Sequence, residues 1–596
     1  MATNDAEFRM SRRVHILVML CQTIGTACTI SIPTGALASG TTGNILCAVI
    51  LFIVIGIPLL YMESIVSQFT ARDCISVWTI RKCLSHIGYV QVIWQILFII
   101  YNHNAVSFLL HYFLISFEKP IPYFLCGSWS DQDCDILLTN YTVNEDCIKR
   151  KFSSSYCDQL HTTYPEYQYW RFYILEVDNT RNFFIVWRVC LASGFVCAMT
   201  FLSCFKRMES IKCFVHFFVI YPIFAYILLL TGSMLQKGIV VEYEDVLDLD
   251  FNNFSKKFRL SNMIQQVIFT LTIGSGITFN FASGVSFRSP CYSNVVICVA
   301  ITIGFIVLTV CTTAMMYCPY AYHYRMKPEF LIRAPMTLLF EKIPRLIRYY
   351  RNSSLWLPLI YSANAIIGLN TNVIAFFNLL EMVRRRNSKV AKYPGLICLT
   401  CIVILFLITI PLQSKYGINL FLSLCRTYLN LLSTFIAAIE CFVFVLMYGM
   451  HRFGEDVHFM LGVQPSIFMK IGWVATSIIL LYAFCNEIHY RWDSNNIVDV
   501  TGRYLLLVAI GYILFGILLK LLIAVLRKDI WSVIRIDPSW GPASEILQRS
   551  RGMFTAQAMT KEYMYRQYHL QAGIIARQRK ANVRDTSIYD NNFIFD

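Results

Sequence analysis

Cys21-Gln22-Thr23-Ile24-Gly25-Thr26-Ala27-Cys28-Thr29 lies in the first long apolar stretch of the chain, and Phe269-Thr270-Leu271-Thr272-Ile273-Gly274-Ser275-Gly276 lies in the sixth. Both segments put small and polar residues near the middle of a run otherwise long enough to cross a bilayer. Either alone reads as close helix packing through small residues, which is frequent in membranes. Standing five stretches apart, they are expected to be equivalent elements of two five-helix repeats. Paired interruptions at corresponding positions point to a transporter binding site. Unwound backbone there frees carbonyls for cations, and half-helix N-termini attract an anionic group.

The rest of the chain supplies the setting. Its 596 residues are 56% hydrophobic and 15% charged, against roughly 25% charged in a soluble domain. Apolar stretches of about 20 residues, the length of a membrane-crossing helix, recur at 14–36, 43–66, 89–116, 183–203, 214–235, 261–285, 293–317, 354–383, 395–412, 420–449, 467–488 and 503–527. In lipid each backbone amide must be satisfied within its own segment, so an all-α polytopic fold of about twelve transmembrane helices is expected. Residues 1–13 are short and polar with no processing site, so no cleavable signal is predicted.

Basic residues set the orientation. Arg9, Arg12 and Arg13 precede the first span; Arg72, Arg81, Lys82, Lys206, Arg207, Lys212, Arg384, Arg385, Arg386, Lys389 and Lys392 fill later joints. By the positive-inside bias both termini are cytoplasmic, in a multi-pass plasma-membrane protein. The net charge of +15 is read the same way, without a nucleic-acid partner. The loop 117–182 then faces outside, where its Cys126, Cys134, Cys147 and Cys157 are expected to form disulfides, Cys126 with Cys134 as the best pair. Glycosylation is expected at Asn140 and at two further outer sequons, Asn253 and Asn352. The outer loop 318–353 breaks the rule with Arg325, Lys327, Arg333, Lys342, Arg345, Arg348 and Arg351; it either meets an anionic partner or is a tolerated basic surface.

Other polar residues sit within apolar runs. Gly368-Leu369-Asn370-Thr371 sets two side-chain oxygens beside a glycine, the ligand type hard cations take, although a threonine can simply bond back to its own helix. Glu63 and Glu440 are intramembrane acids, costly unless paired, protonated or hydrated; they read as bonds between helices or as part of a proton or ion path. Cys398-Leu399-Thr400-Cys401 is a lone CxxC in an apolar run, and no HExxH occurs. No zinc site is expected, and with no nucleophile–base set, no enzyme.

Several separated blocks resemble the neurotransmitter:sodium symporter family, the solute carriers for monoamines, GABA, glycine and other amino acids. Gly56-Ile57-Pro58-Leu59-Leu60-Tyr61-Met62-Glu63 with Gln68 is similar to its second span. Gln266 to Leu271 with Gly274, Gly276, Ala282-Ser283 and Cys291-Tyr292 is similar to its sixth and the following loop. Tyr448-Gly449, His451-Arg452-Phe453, Asp456, Met460-Leu461-Gly462 and Pro465 resemble the loop after its tenth. Cys126/Cys134, Pro165-Glu166-Tyr167 and Trp540-Gly541-Pro542 also fit. Together they cover about residues 14–545, in order.

The resemblance implies the inverted-repeat fold of the bacterial leucine transporter, alternating access and sodium-driven uptake. Carried over by position, it implies a second sodium site from the carbonyls of Cys21, Ile24 and Ile367 and the side chains of Asn370 and Thr371. It puts a first sodium site at Thr23, Cys28, Thr270 and Thr302, with Cys28, a soft sulfur ligand, where the family has Asn. A halide site would use Gln266 and Thr270, but its tyrosine position is Ala48 and one hydroxyl is Ile306, so chloride dependence is not expected. The substrate would meet Gly25, Thr26, Tyr101, Asn102, Phe269 and Ser275. Gly25 stands where monoamine carriers have Asp, favouring a carboxylate-bearing or neutral substrate. The span 3 tyrosine position falls near Asn102, with Tyr101 adjacent. Ser31 replaces the outer-gate arginine, the position of that arginine's acidic partner falls near Arg426, and Arg385 replaces the inner-gate aspartate.

The expected organisation is a cytoplasmic N-terminus at 1–13, a first repeat at 14–235, an outer loop at 236–260, a second repeat at 261–449, spans 11 and 12 at 467–527 and a cytoplasmic tail at 528–596. The expected function is a sodium-coupled symporter importing an amino acid, a derivative or an osmolyte, with sodium as coupling ion and no other cofactor or metal. The alternative is a transport-deficient sensor or scaffold that signals through its basic tail to a cytoplasmic protein partner.

Overall fold

Segments this apolar have no water to satisfy their amides, so each closes its own hydrogen-bond ladder as helix. The computed structural model describes residues 10–131, 134, 164–175, 186–236, 259–324, 336, 338–348, 350–387, 392–414, 417–492 and 496–554. Ten helices among them are long and apolar enough to cross a membrane: Thr41–Thr70, Lys82–Ile115, Trp187–Cys204, Met208–Met234, Cys291–Tyr320, Ser353–Arg386, Pro394–Leu412, Ile418–Met447, Ile467–Trp492 and Ile497–Leu526. The first span adds an eleventh as a bent pair, Arg12–Thr23 and Ala27–Ser39, at 46°. The sixth is two pieces, Leu260–Thr270 and Ile277–Ala282, each too short to cross alone. The protein is thus an all-α polytopic membrane protein, with spans 1 and 6 broken and the ten helices above forming spans 2–5 and 7–12.

Burial separates a core from a lipid-facing rim. Span 8, Ser353–Arg386, is 83% buried in its most apolar window, whereas spans 9 and 12, Pro394–Leu412 and Ile497–Leu526, are 22% buried. Span 8 therefore carries polar residues such as Asn364, Asn370 and Asn372 inside, while spans 9 and 12 present Leu, Ile, Val and Phe outward. Span 8 lies along span 3 and also meets the first half of span 1 and span 5.

At one face, Cys126 and Cys134 are disulfide-bonded. Asn352 is exposed there; Asn140, Asn253, Cys147 and Cys157 lie outside the described residues. The described part of the basic loop turns its cations inward. Arg348 pairs with the buried Glu166 at 3.1 Å and donates to Phe124 O. Arg345 lies over the Tyr164 ring at 3.2 Å. These two cations are used within the chain, and Arg325, Lys327 and Arg333 are not among the described residues.

The opposite face gathers the first and last described segments. Met10 N donates to Gly284 O, and Arg12 donates to Asn294 Oδ1 at 2.8 Å. The segment after span 12 crosses this face: Asp537 N donates to Ile80 O, Arg72 lies over Trp540, and Arg551 binds Asp456 at 2.6 Å and Glu455 at 3.1 Å. Arg551 thus finds its acidic partners within the chain. The tail from residue 555 lies outside the described residues.

Beside Arg345, burial pushes the Glu341 carboxyl up to about 7 against the pull of Lys342, Arg171 and Arg345. Burial also raises Glu166, opposed by Arg348 and Arg345. Carboxyls whose folded pKa exceeds the unfolded value stabilise the fold at low pH and lose that contribution as pH rises through the folded pKa. The thermal midpoint of the purified protein is expected to fall between about pH 5 and about pH 8, and Glu341→Gln to reduce that fall.

Candidate functional site

The break in span 6 is set by backbone geometry. Thr272, Gly274 and Gly276 all have positive φ, at 52°, 75° and 80°. A Cβ on Gly274 would run into Ser433 O of span 10, and one on Gly276 would sit 2.7 Å from Cys74 Cβ. Only glycine allows span 6 to unwind this close to its neighbours.

Unwinding leaves amides and carbonyls that lipid cannot satisfy, and side chains from spans 2 and 3 meet them. Glu63 Oε1 accepts from Gly274 N at 2.7 Å. Gln91 donates to Gly274 O at 3.2 Å, and Gln95 to Ser275 O at 2.8 Å. Gln91 also donates to Glu440 Oε1 at 2.7 Å, tying span 10 to the same point. Glu63 and Glu440 thus act as bonds between helices at the break. Gln22 of span 1 donates to Thr272 Oγ1 and to Thr278 Oγ1, at 3.3 Å for the latter, so the two interruptions touch.

The oxygens assigned to a second sodium ion lie where spans 1 and 8 meet. Thr371 Oγ1 is 3.0 Å from Ile367 O and 3.5 Å from Cys21 O. It faces Gly25, whose missing Cβ would stand 3.5 Å away. Asn370 donates through Nδ2 to Phe218 O of span 5 at 2.9 Å, and its buried Oδ1 has no hydrogen-bond partner. Ile24 is buried in the break itself. Neutral carbonyl, amide and hydroxyl oxygens, one of them orphaned, suit a hard monovalent cation. Cys21, Ile367, Asn370 and Thr371 would hold it, and its charge would draw spans 1 and 8 together.

The four residues assigned to a first sodium ion are arranged differently. Thr23 Oγ1 is 2.9 Å from Thr302 Oγ1, and the Cys28 thiol donates to Thr23 O at 3.4 Å. Thr270 Oγ1 is buried without a partner. This set, largely bonded to itself and including a thiol, does not fit a sodium ion. At the halide position, Gln266 Oε1 and the Thr270 hydroxyl are buried without a partner, and Ala48 and Ile306 are buried apolar residues.

Among the substrate candidates, Asn102 donates to Gly368 O at 2.6 Å and keeps a buried, unpartnered Oδ1. A Cβ on Gly368 would stand 3.5 Å from Thr26 Cγ2 and 3.8 Å from Asn102 Oδ1, so these three residues meet. Tyr101 points elsewhere and stacks on Phe421 at 5.2 Å; one residue along a helix turns a side chain by about 100°. Phe269 packs against Phe98 at 5.9 Å and Trp94. Ser275 spends its hydroxyl on Thr272 O within the turn. Toward the disulfide face the site is covered by rings: Phe108 meets Trp170 at 5.5 Å and Phe421 at 5.8 Å, and Trp170 stacks on Phe340 at 4.2 Å.

A model of the sodium:neurotransmitter symporter family matches residues 9–525. The chain belongs to that family. Similar proteins include the sodium- and chloride-dependent glycine transporter 1 of Xenopus laevis, 22% identical over 74% of this chain and 72% of that protein. The human sodium- and chloride-dependent neutral and basic amino acid transporter B(0+) is 23% identical over 72% of this chain and 71% of its own length. The bovine sodium- and chloride-dependent creatine transporter 1 is 23% identical, over 73% and 69% respectively.

Sequence reasoning missed the glutamines that hold the break in this symporter-family chain. Gln91 and Gln95 are four apart on an apolar span, a polar stripe that could have been noticed. The aromatic cover carried no comparable signal, because its rings come from four separate segments. Gly274→Ala is expected to destabilise the purified protein by about 2 kcal/mol or more, from a strained left-handed residue plus a backbone clash; thermal unfolding measures it.

Proposed function

We propose that this chain is a sodium-coupled symporter that imports an amino acid, an amino-acid derivative or an osmolyte across the plasma membrane by alternating access. The observation that carries the reading is Thr371 of span 8 facing Gly25 across the break in span 1, beside the carbonyls of Cys21 and Ile367. A cation held between a broken helix and an intact one biases the equilibrium between two states by its differential affinity for them. The disulfide face would be external and both termini cytoplasmic.

Gly25 leaves no carboxylate for an amine, so the reading favours a carboxylate-bearing or neutral solute. Thr26 and Asn102 would orient it, and Phe269 would wall it. Opening outward would part the Phe108, Trp170 and Phe340 rings. Opening inward would disturb the bonds of Arg385 to Ser283 Oγ at 2.8 Å and of Arg12 to Asn294. The family match over residues 9–525 and the transport functions in the relatives' names support the same class.

Radiotracer uptake into cells expressing the chain, with sodium replaced by N-methyl-D-glucamine, tests the proposal. Uptake from an amino-acid and osmolyte panel is expected to require sodium and to drop at least about tenfold in Asn370→Ala and in Thr371→Ala. Replacing chloride with gluconate should leave it unchanged, since Ala48 and Ile306 offer an anion no donor. A surface-expressed chain with no sodium-dependent flux would favour the sensor reading instead.

A further inference from the structure

We infer that this chain binds sodium at one site only, because the position corresponding to a first sodium ion is closed by the protein's own thiol and hydroxyl protons. The inference rests on the symporter reading above and sets its ion count.

The hydrogen bonds around Thr23 can be given a direction. Thr302 donates its single hydroxyl proton to Cys298 O at 2.9 Å. In the 2.9 Å contact between Thr302 and Thr23 the proton must therefore come from Thr23. Thr23 has then spent its proton, so the Cys298 thiol, 3.5 Å away, is the donor to Thr23 Oγ1. The backbone oxygens nearby each face a protein donor as well. The Cys28 thiol donates to Thr23 O at 3.4 Å, and the single Thr309 hydroxyl proton is shared between Cys28 O at 2.8 Å and Ile306 O at 2.9 Å. Thr23, Cys28, Cys298, Thr302 and Thr309 thus stitch the break in span 1 to span 7 with protons where an ion would supply charge.

Sodium entering here would have to compete with these donors and would meet the sulfurs of Cys28 and Cys298 among the oxygens. A hard cation takes several oxygen ligands and makes poor contacts with thiols. Thr270 Oγ1 is the unpartnered hydroxyl of the assigned set, and one hydroxyl is not a cage. At the other site the contrast holds: Asn370 Oδ1 is orphaned, Thr371 adds a hydroxyl, and no thiol side chain bonds to either residue's oxygens in the hydrogen bonds described. The kink of span 1 is consequently held against span 7 whether sodium is present or not. With a single coupling ion, solute accumulation would follow the sodium electrochemical gradient and not its square.

The test uses the purified full-length protein in lipid nanodiscs without solute, and reads thermal stability against sodium chloride at constant ionic strength with N-methyl-D-glucamine chloride. Ligand that binds only the folded state raises the midpoint by mass action. The expected curve has a Hill coefficient of about 1, and Thr371→Ala weakens apparent sodium affinity at least about tenfold. Thr302→Val and Cys28→Ala should lower the midpoint in zero sodium yet leave sodium affinity within about twofold, with Thr302→Ser and Cys28→Ser restoring the midpoint. A Hill coefficient near 2 in the native chain, or a tenfold loss of sodium affinity in Thr302→Val, would overturn the one-site count while leaving symport standing. A native midpoint indifferent to sodium would overturn the count and the symporter reading together.

Discussion

A peptide group inside a bilayer has no water to fall back on, and this protein is organised around a break in span 6 where side chains meet that constraint. Between Thr270 and Ile277 the backbone of span 6 leaves its helix. Glu63, Gln91 and Gln95 bind its exposed amide and carbonyls, and Gln22 connects the break to its counterpart in span 1. Remove that partnership and unpaired polar groups would remain in a dry interior, each costing about 1–3 kcal/mol. The position of Gly274 against the backbone of span 10 follows from it, as does the point where spans 2, 3, 6 and 10 converge.

Around that fixed centre, the described residues near the site make little use of ion pairs. Ser31 stands where the family pattern has an arginine, and the cover toward the disulfide face consists of Phe108, Trp170, Phe340 and Phe421. Stacked rings exclude water without the directional demand of a salt bridge. Charge is used farther out, where Arg348 meets Glu166 and Arg551 meets Asp456. The first pair ties two inter-span segments together at one face, and the second ties the segment after span 12 to the one after span 10 at the other.

Much of the fold was legible in the sequence. Hydropathy alone marks the apolar segments, because twenty-odd apolar residues have few alternatives to a helix in lipid. The two interruptions were legible for a similar reason: glycine and hydroxyl residues in mid-span are costly unless something uses them. The pairing of Cys126 with Cys134 was also readable from proximity and compartment. The basic loop was less so. Composition left Arg345 and Arg348 as either partner-seeking or tolerated surface, whereas both are folded onto Tyr164 and Glu166, residues some 180 positions earlier.

By itself, then, the sequence determined that this chain is an all-helical membrane protein with two broken spans, since helix formation in lipid and helix failure at Gly274 and Gly276 are local properties. Which of two neighbouring residues, Tyr101 or Asn102, turns toward Gly368 was decided only by how span 3 is rotated against span 8. The same holds for the thiol of Cys28: its place in the row predicts a poor ligand, but only packing against span 7 brings Thr302, Cys298 and Thr309 near enough to bind the oxygens around it. Rotation and approach are collective results of helix packing. No single stretch of residues encodes them.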